Sequence, residues 1–338
     1  MPSLPISLAL IVLAATSAGA QQQPLPRVRA DSTARGSVRP RARNDSTTRR
    51  PDRLRAHADS TRRPDRPGPW SLYTAASNVY ESNIDHNQSG LDSYGILLGI
   101  GGAYRSSGGA VELTYDGVLR DYSHTDEWNR PGHQLDASLT QRVAKHWNVG
   151  VQGEVSINGS SEDRVLRNEY SVEPLVDYRF NRANRLRLYG EYLLKRYPIP
   201  TGQDAVDPRV GIQFRQTLGG DRSWALSGRY EVNHADSTRF RYNAWTLTAN
   251  AANPTGARGR VWGYARYRVR LYTSRLVTVG GTDVLRRDRG WIAIIGWEYA
   301  LWKQWALGLN YRYELYNSND ARKEFRAHTV AFTWTRRW

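Results

Sequence analysis

The seven histidines are the first residues to test for chemistry, because the chain of 338 residues contains no cysteine. His124, Asp126 and His133 lie close together in the sequence, and so do His234 and Asp236. A catalytic pair needs a nucleophile within hydrogen-bond reach of an oriented base, and neither group shows an ordered motif of that kind. Their spacing also matches no zinc signature. The sequence therefore predicts no catalytic residues, no metal ligands and no cofactor.

The body of the chain alternates between apolar and polar residues, and this alternation is its clearest structural signal. Between Trp224 and Asn233, and again between Trp305 and Leu315, every second residue is mostly apolar and the others are small, polar or charged. The same alternation runs through 147–158, 172–180 and 210–214. A period of two is that of a β-strand whose two faces meet different surroundings. The alternation therefore predicts an all-β, antiparallel fold.

The length of these segments separates a membrane barrel from a soluble sandwich. Segments 109–122, 185–197 and 260–272 exceed the ~5–6 residues common in soluble sheets and reach the ~9–11 residues that cross a bilayer. Tight turns are expected at 105–108, 144–146, 181–184, 219–222, 253–256 and 301–304, and long polar loops at 81–91, 124–132, 159–168, 198–207, 235–241, 273–288 and 317–324. This rhythm predicts an up-and-down transmembrane β-barrel of about 14 strands over residues 69–338, with both ends on the periplasmic side.

Aromatic residues fall near the expected strand ends and predict two girdles at the membrane interfaces. The periplasmic rim is expected to carry tryptophans, namely Trp70, Trp147, Trp224, Trp302, Trp305 and Trp338. The outer rim is expected to carry tyrosines, namely Tyr80, Tyr122, Tyr170, Tyr197, Tyr242, Tyr272 and Tyr316. A soluble sandwich has no reason to sort its aromatic residues in this way, so the sorting favours a membrane barrel.

The N-terminal part of the chain has a different composition. Residues 1–20 are apolar and end in a small-residue cleavage site, which predicts a signal peptide. Residues 21–68 contain 13 arginines and 5 aspartates, a net charge of +8, with almost no large apolar side chains. Such a composition predicts a disordered periplasmic tail. The tail is interpreted either as a solvated spacer or as a tether or plug that contacts an acidic partner, and an exported protein is not expected to bind nucleic acid.

The alternate strand residues assigned to the inner face of the predicted barrel are rich in both basic and acidic side chains, with 14 basic and 10 acidic residues. The candidate pore-lining residues are Arg229, Glu231, Arg260, Arg266, Arg268, Arg270, Arg312 and Glu314. The excess of bases favours an anion-selective, water-filled channel, while the alternative is a set of ion pairs that brace the wall. Arg266, Arg268 and Arg270 are expected to form the least neutralised part of the wall, because the adjacent strands supply little acid.

The C-terminal segment Val330–Trp338 ends in an aromatic residue, with Phe332, Trp334 and Trp338 on one parity. It resembles the C-terminal insertion signal of bacterial outer-membrane barrels. This resemblance implies insertion by the barrel-assembly machinery and contact with outer-membrane lipid and lipopolysaccharide. The segment Asn78–Ile84 also resembles a motif of the porin-like barrels of exopolysaccharide export and of the barrel of surface lipoprotein assembly modifiers.

These observations predict a protein of the Gram-negative outer membrane, a porin-like channel for small polar solutes that is passive or weakly anion-favouring and is not an enzyme. Two other functions stay open at this point. One is an export or assembly barrel for a polysaccharide or a surface lipoprotein, and the other is an outer-membrane lipid-modifying enzyme. Its oligomeric state is not predicted.

Overall fold

The computed structural model describes residues 69–83, 92–106, 109–124, 129–160, 166–198, 202–219 and 221–338. The expected signal peptide and basic tail, and the loop residue Asp126, lie outside the described residues.

The described chain forms a closed barrel of fourteen antiparallel strands, which confirms the predicted fold class. The strands are β1 (Trp70–Ser82), β2 (Ser93–Arg105), β3 (Val111–Tyr122), β4 (Gly132–Arg142), β5 (Trp147–Ser160), β6 (Leu166–Arg179), β7 (Asn184–Arg196), β8 (Ala205–Gly219), β9 (Arg222–Ala235), β10 (Tyr242–Thr255), β11 (Gly259–Val279), β12 (Thr282–Ala300), β13 (Trp305–Ser318) and β14 (Phe325–Arg337). Each strand pairs with the next along the chain, and β14 pairs with β1 to close the barrel.

Short and long connections alternate, so the barrel has two distinct ends. The turn end carries the short connections together with the start of β1 and the end of β14, whereas the loop end carries the longer ones. Two 3-10 helices of three residues, Thr238–Phe240 and Ala321–Lys323, lie in connections at the loop end. Among the described residues, no helix is long and apolar enough to cross a membrane.

The outer face of the barrel is apolar and the inner face is polar. Leu98, Val210 and Leu247 face outward and are 50–59% exposed, while Arg209 and Thr246, next to Val210 and Leu247 in sequence, are buried inside. Glycines on the inner face make room for rings. Gly101 on β2 lies directly beneath the ring of Tyr73, where an added Cβ would clash. The barrel therefore presents the side-chain distribution that a lipid environment requires.

The expected polar loop at 273–288 is wrong, because most of it continues as strand. β11 pairs with β10 only as far as Tyr272, and β12 pairs with β13 only from Asp288. The intervening residues of β11 and β12 pair with each other as a hairpin that projects beyond the rim. Gly280 and Gly281 both have positive φ and form its two-residue turn, the geometry that suits a strand hairpin.

The expected outer girdle of tyrosines is also wrong in its membership. Tyr122, Tyr242 and Tyr272 lie on the inward parity and are buried inside the barrel, and Tyr316 shares that parity. Tyr80 and Tyr170 of the predicted girdle do face outward near the loop end, together with Tyr94, Tyr192, Trp245 and Trp291. The tryptophans at the turn end match the prediction better, since Trp70, Trp147, Trp302, Trp305 and Trp338 are exposed.

Candidate functional site

All eight residues predicted to line the interior lie on the inner face of the barrel, on β9, β11 and β13. Six of them are buried, whereas Arg229 and Arg260 are only half-buried. This placement follows from the strand period of two: on β11, for example, the even-numbered residues point inward. The structure brings only some of these eight residues together.

A buried network of ion pairs connects β7, β8, β9 and β11; we call it the central cluster. Its members are Glu191, Lys195, Asp207, Arg209, Arg229, Glu231, Tyr242 and Arg268. The Nη1 of Arg209 donates to Glu191 at 3.0 Å, and its Nη2 donates to Asp207 at 3.1 Å. Lys195 forms an ion pair with Asp207. Since the Asp207 and Glu231 side chains are 0% exposed, these charges rely on one another rather than on water.

Glu231 is the centre of this cluster because three arginines surround its carboxylate. Arg268 forms an ion pair with Oε1, the Nη2 of Arg229 donates to Oε2 at 3.3 Å, and the Nε of Arg209 lies 3.7 Å from Oε2. The hydroxyl of Tyr242 also lies 3.3 Å from both Lys195 Nζ and Arg268 Nη2. The central cluster spans the five strands β7 to β11 and links their side chains on one side of the inner wall.

The expectation that Arg266, Arg268 and Arg270 form the least neutralised part of the wall is therefore wrong for Arg268. Its carboxylate partner comes from β9, two strands away, across β10. The inward residues of β10 at this level are Ala244 and Thr246, which are small. Long side chains from the strands on either side therefore meet above β10, a contact that a strand-by-strand comparison of neighbours does not reveal.

A second charged group lies at the rim around Asp288. Arg286 donates to both Asp288 oxygens at 2.8 Å, and Tyr316 and Ser318 donate to the same carboxylate at 2.6 and 2.7 Å. Arg270 connects this rim group to the central cluster, since its Nη1 lies 3.3 Å from the Tyr316 hydroxyl. Its guanidinium also lies 5.3 Å from the centre of the Tyr242 ring.

Asp320 sits beside this rim group, in the connection between β13 and β14. Burial raises the pKa of its carboxyl, but the hydrogen bond from Arg322 Nε at 3.1 Å and the charges of Arg322, Arg286 and Arg275 outweigh burial. The pKa of Asp320 is therefore lowered from its ordinary value.

The other predicted residues are placed separately. Arg312 and Glu314 form their own buried pair, with Nε and Oε1 2.6 Å apart. Arg260 pairs in register with Glu298 near the turn end, and Arg266 pairs in register with Ile292.

The prediction missed four inward-facing carboxylates, namely Glu81, Glu169, Asp207 and Asp288. Three of them, Glu81, Asp207 and Asp288, were missed because they fell within expected loops. The alternation of residues continues through those strand ends and could have revealed them.

The described histidines do not form a catalytic set. His133 and His328 face outward beside Tyr115 and Tyr311. At the loop end, His124 Nδ1 lies 2.8 Å from the hydroxyl of its neighbour Ser123, and both side chains are exposed. Among the described residues, His124 has no carboxylate as a hydrogen-bond partner, and the Ser123 hydroxyl already accepts a hydrogen bond from the Tyr94 amide at 3.2 Å. In the part of the chain that the structure describes, no group of three metal-ligating side chains converges.

The C-terminal residues are placed at the closure of the barrel. Phe332 and Trp334 face outward on β14, with 36% and 42% of their surfaces exposed. The amide of Trp338 donates to the carbonyl of Leu72 at 3.0 Å. These two aromatic side chains of the last strand therefore lie on the outer face of the barrel.

Comparison with known proteins finds no matching family model and no matching curated protein. Solved structures are similar over 80% of this chain. The anion-selective porin from Comamonas acidovorans is 11% identical, with 99% of that chain covered and a TM-score of 0.45. The trimer form of OmpT, an outer-membrane protein of Vibrio cholerae, is 11% identical, with 99% of that chain covered and a TM-score of 0.47. The outer-membrane protein opdK from Pseudomonas aeruginosa is 10% identical, with 99% of that chain covered and a TM-score of 0.41.

Proposed function

We propose that this chain is an outer-membrane, porin-like channel through which small polar solutes diffuse. The observation that carries the proposal is the inversion of the barrel's two faces. Large apolar side chains cover the outside, and charged side chains line the inside. A water-soluble barrel would bury its apolar face, so this distribution suits lipid outside and a polar path within.

The finer proposal is a weak preference for anions. Support comes from the inner face of β11, which carries four arginines and no carboxylate. The ion pairs of the central cluster reduce this preference, because Arg268 is committed to Glu231.

A lipid-modifying enzyme is the less favoured function. Such an enzyme would need a nucleophile beside a base that a third group orients. Ser123 and His124 are in contact, but both are exposed, and among the described residues no carboxylate orients His124. An export or assembly barrel would need partner proteins, which binding experiments would detect. Among the described residues, no feature favours this function over that of a channel.

The location is tested by cell fractionation and by mobility on a mild detergent gel. We expect the protein in the outer-membrane fraction, with different mobilities before and after boiling, because a closed strand barrel resists mild detergent. Identical mobilities together with recovery in the soluble periplasmic fraction would refute the membrane proposal.

The channel is tested by conductance in planar bilayers. The variant Arg266→Gln/Arg268→Gln/Arg270→Gln should move the reversal potential in a salt gradient toward cation preference. The matched control is Arg222→Gln, at the exposed turn end, which should leave the reversal potential unchanged. A conducting triple variant with the parent's reversal potential would mean that these arginines only brace the wall.

A further inference from the structure

We propose that the outer face of β12, β13 and β14 near the loop end binds the phosphate-bearing headgroup of a membrane lipid. In the orientation predicted from the sequence, the loop end meets the outer leaflet, so the lipid belongs to that leaflet. The inference rests on the proposed membrane location. It does not rest on conductance, because the residues concerned face away from the interior.

The outward side chains of these three strands form a basic group at the rim. Arg287 and Arg289 are exposed on the outward side of β12, and Arg326 is exposed on the outward side of β14. Asn317 on β13 is exposed between them and pairs in register with Arg289. We call these four residues the outer basic patch. Since neighbouring strands are about 5 Å apart, Arg289 and Arg326 lie about 10 Å from each other across β13.

The depth of the outer basic patch matches the headgroup level of a membrane. β12 begins to pair with β13 at Asp288, and β13 pairs with β14 as far as Phe325, so Arg289 and Arg326 each lie one residue inside the rim. Trp291 faces outward two residues closer to the middle of the barrel and is 40% exposed. Tryptophan rings favour the membrane interface. The arginines between this ring and the rim therefore lie at the level of lipid phosphate groups.

The protein itself leaves the charges of the outer basic patch available for a ligand. Arg286, the inward neighbour of Arg287, forms an ion pair with Asp288 at 2.8 Å. Among the described residues, the side chains of Arg287, Arg289 and Arg326 have no ion-pair partner. These three side chains point to the outside, where only lipid or solvent can meet them.

The surrounding charges make this side of the barrel selective for an anion. Lys323 and Glu324, both exposed just before β14, contribute opposite charges, so the three arginines keep their net charge of +3. At the loop end of β2 and β3, by contrast, the exposed charged residues include the acids Asp92 and Asp121. An anionic headgroup would be repelled on that side and attracted to the outer basic patch.

The side-chain chemistry favours phosphate among anionic groups. A guanidinium is planar and donates two parallel hydrogen bonds to phosphate oxygens, and the Asn317 amide adds a further donor. A second copy of the chain is a poorer occupant, because a symmetric contact would bring the same cations of both copies together.

The test measures binding of phosphatidic acid to the full-length protein in neutral detergent micelles, with bound lipid counted by native mass spectrometry. Arg287→Gln/Arg289→Gln/Arg326→Gln, the patch variant, should weaken the tightest binding step by about a hundredfold, because each arginine near an anionic headgroup contributes about fivefold. Phosphatidylcholine, whose headgroup has no net charge, should bind the parent and the patch variant equally.

The matched control is Arg130→Gln/Arg196→Gln/Arg239→Gln, which removes three exposed arginines from separate points of the loop end. It changes the net charge by the same amount as the patch variant and should leave the tightest binding step unchanged. Equal weakening in the two variants would overturn the proposal, because only the overall charge would then matter. Inorganic phosphate that binds the parent as tightly as phosphatidic acid does would also overturn it, because the lipid would then contribute nothing.

Conductance of the same proteins separates this inference from the channel proposal. The patch variant should conduct like the parent, because its substitutions lie on the outer face. If the parent conducts but binds phosphatidic acid no better than the patch variant does, the channel stands and the inference fails. If the parent alone binds the lipid tightly and neither protein conducts, the inference stands and the channel proposal fails. A dimer that the patch variant loses while its lipid binding is unchanged would assign the patch to a second copy and overturn the inference.

Discussion

Replacing Glu231 by glutamine should destabilise the barrel more than any other single neutralisation on the inner wall. Glutamine keeps the shape of the side chain but removes the charge that faces Arg209, Arg229 and Arg268. Those three cations would then repel one another in a site where the Glu231 side chain is 0% exposed. Removing one partner of a buried ion pair costs about 3–5 kcal/mol.

The measurement is urea unfolding of the barrel refolded in lipid vesicles. A loss of this size should lower the urea midpoint by about 1–2.5 M, given a dependence of about 2–3 kcal/mol per molar. The matched control is Glu112→Gln, whose partner Arg105 lies 2.9 Å away but is 29% exposed. Solvent screens that pair, so its loss should cost less than about 1 kcal/mol.

A double variant distinguishes lost attraction from general damage to the wall. Glu231→Gln combined with Arg268→Gln should recover part of the stability, because one of the repelling cations is removed. The reasoning fails if Glu231→Gln shifts the midpoint no more than Glu112→Gln does. It also fails if the double variant is as unstable as the sum of the two single variants, since contacting residues should be coupled.

Three further outcomes follow from the described contacts. Gly296→Ala should destabilise the barrel by about 1–3 kcal/mol in the same unfolding assay, because its new Cβ would overlap the Trp262 ring, whereas Gly228→Ala meets no atom closer than 3.7 Å and should be nearly neutral. Asp320→Asn should lower the resistance of its connection to proteolysis at pH 7. This difference should begin to shrink as the pH falls below about 4 and should disappear only below the lowered pKa of the folded state, because a carboxyl whose pKa is lowered on folding stabilises fully above its unfolded pKa and loses that effect as the folded form is protonated. Trp338→Ala should reduce the amount of protein in the outer membrane without changing the urea midpoint of the refolded barrel; equal reductions in both would mean that Trp338 acts through stability rather than recognition.

The rhythm of short turns and long loops predicted the strand number. The alternation of residues predicted the inward position of all eight candidate residues, because that position depends only on the local period of two. Contacts between strands that are not adjacent escaped prediction. The pair of Arg268 and Glu231 depends on β10 having small inward residues, which matters only once three strands are placed side by side. The Gly280–Gly281 turn was a recognisable hairpin signal, but the polarity of its surroundings made them resemble a loop.

The predicted girdle of tyrosines was wrong for a different reason. Position along a strand determines how deep a residue lies in the membrane, whereas parity determines whether it faces lipid at all. Tyr122, Tyr242 and Tyr272 have the depth of a girdle and the parity of the interior, so their rings pack inside. Testing parity and depth together would have identified Trp245 and Tyr192 instead.

The pairing of the last strand with the first determines when the protein can finish folding. The hydroxyls of Ser77 and Thr333, 2.8 Å apart, join residues separated by 256 positions in sequence. Every other strand pair can form as a hairpin soon after its two strands are available, but this one must wait for the whole chain. Until then β1 and β14 are two unpaired edges with an apolar outer face, the condition in which strands aggregate. A chain truncated before Phe325 would lack β14 and could not form this closure. The thirteen residues of β14 must therefore be present before the barrel can close.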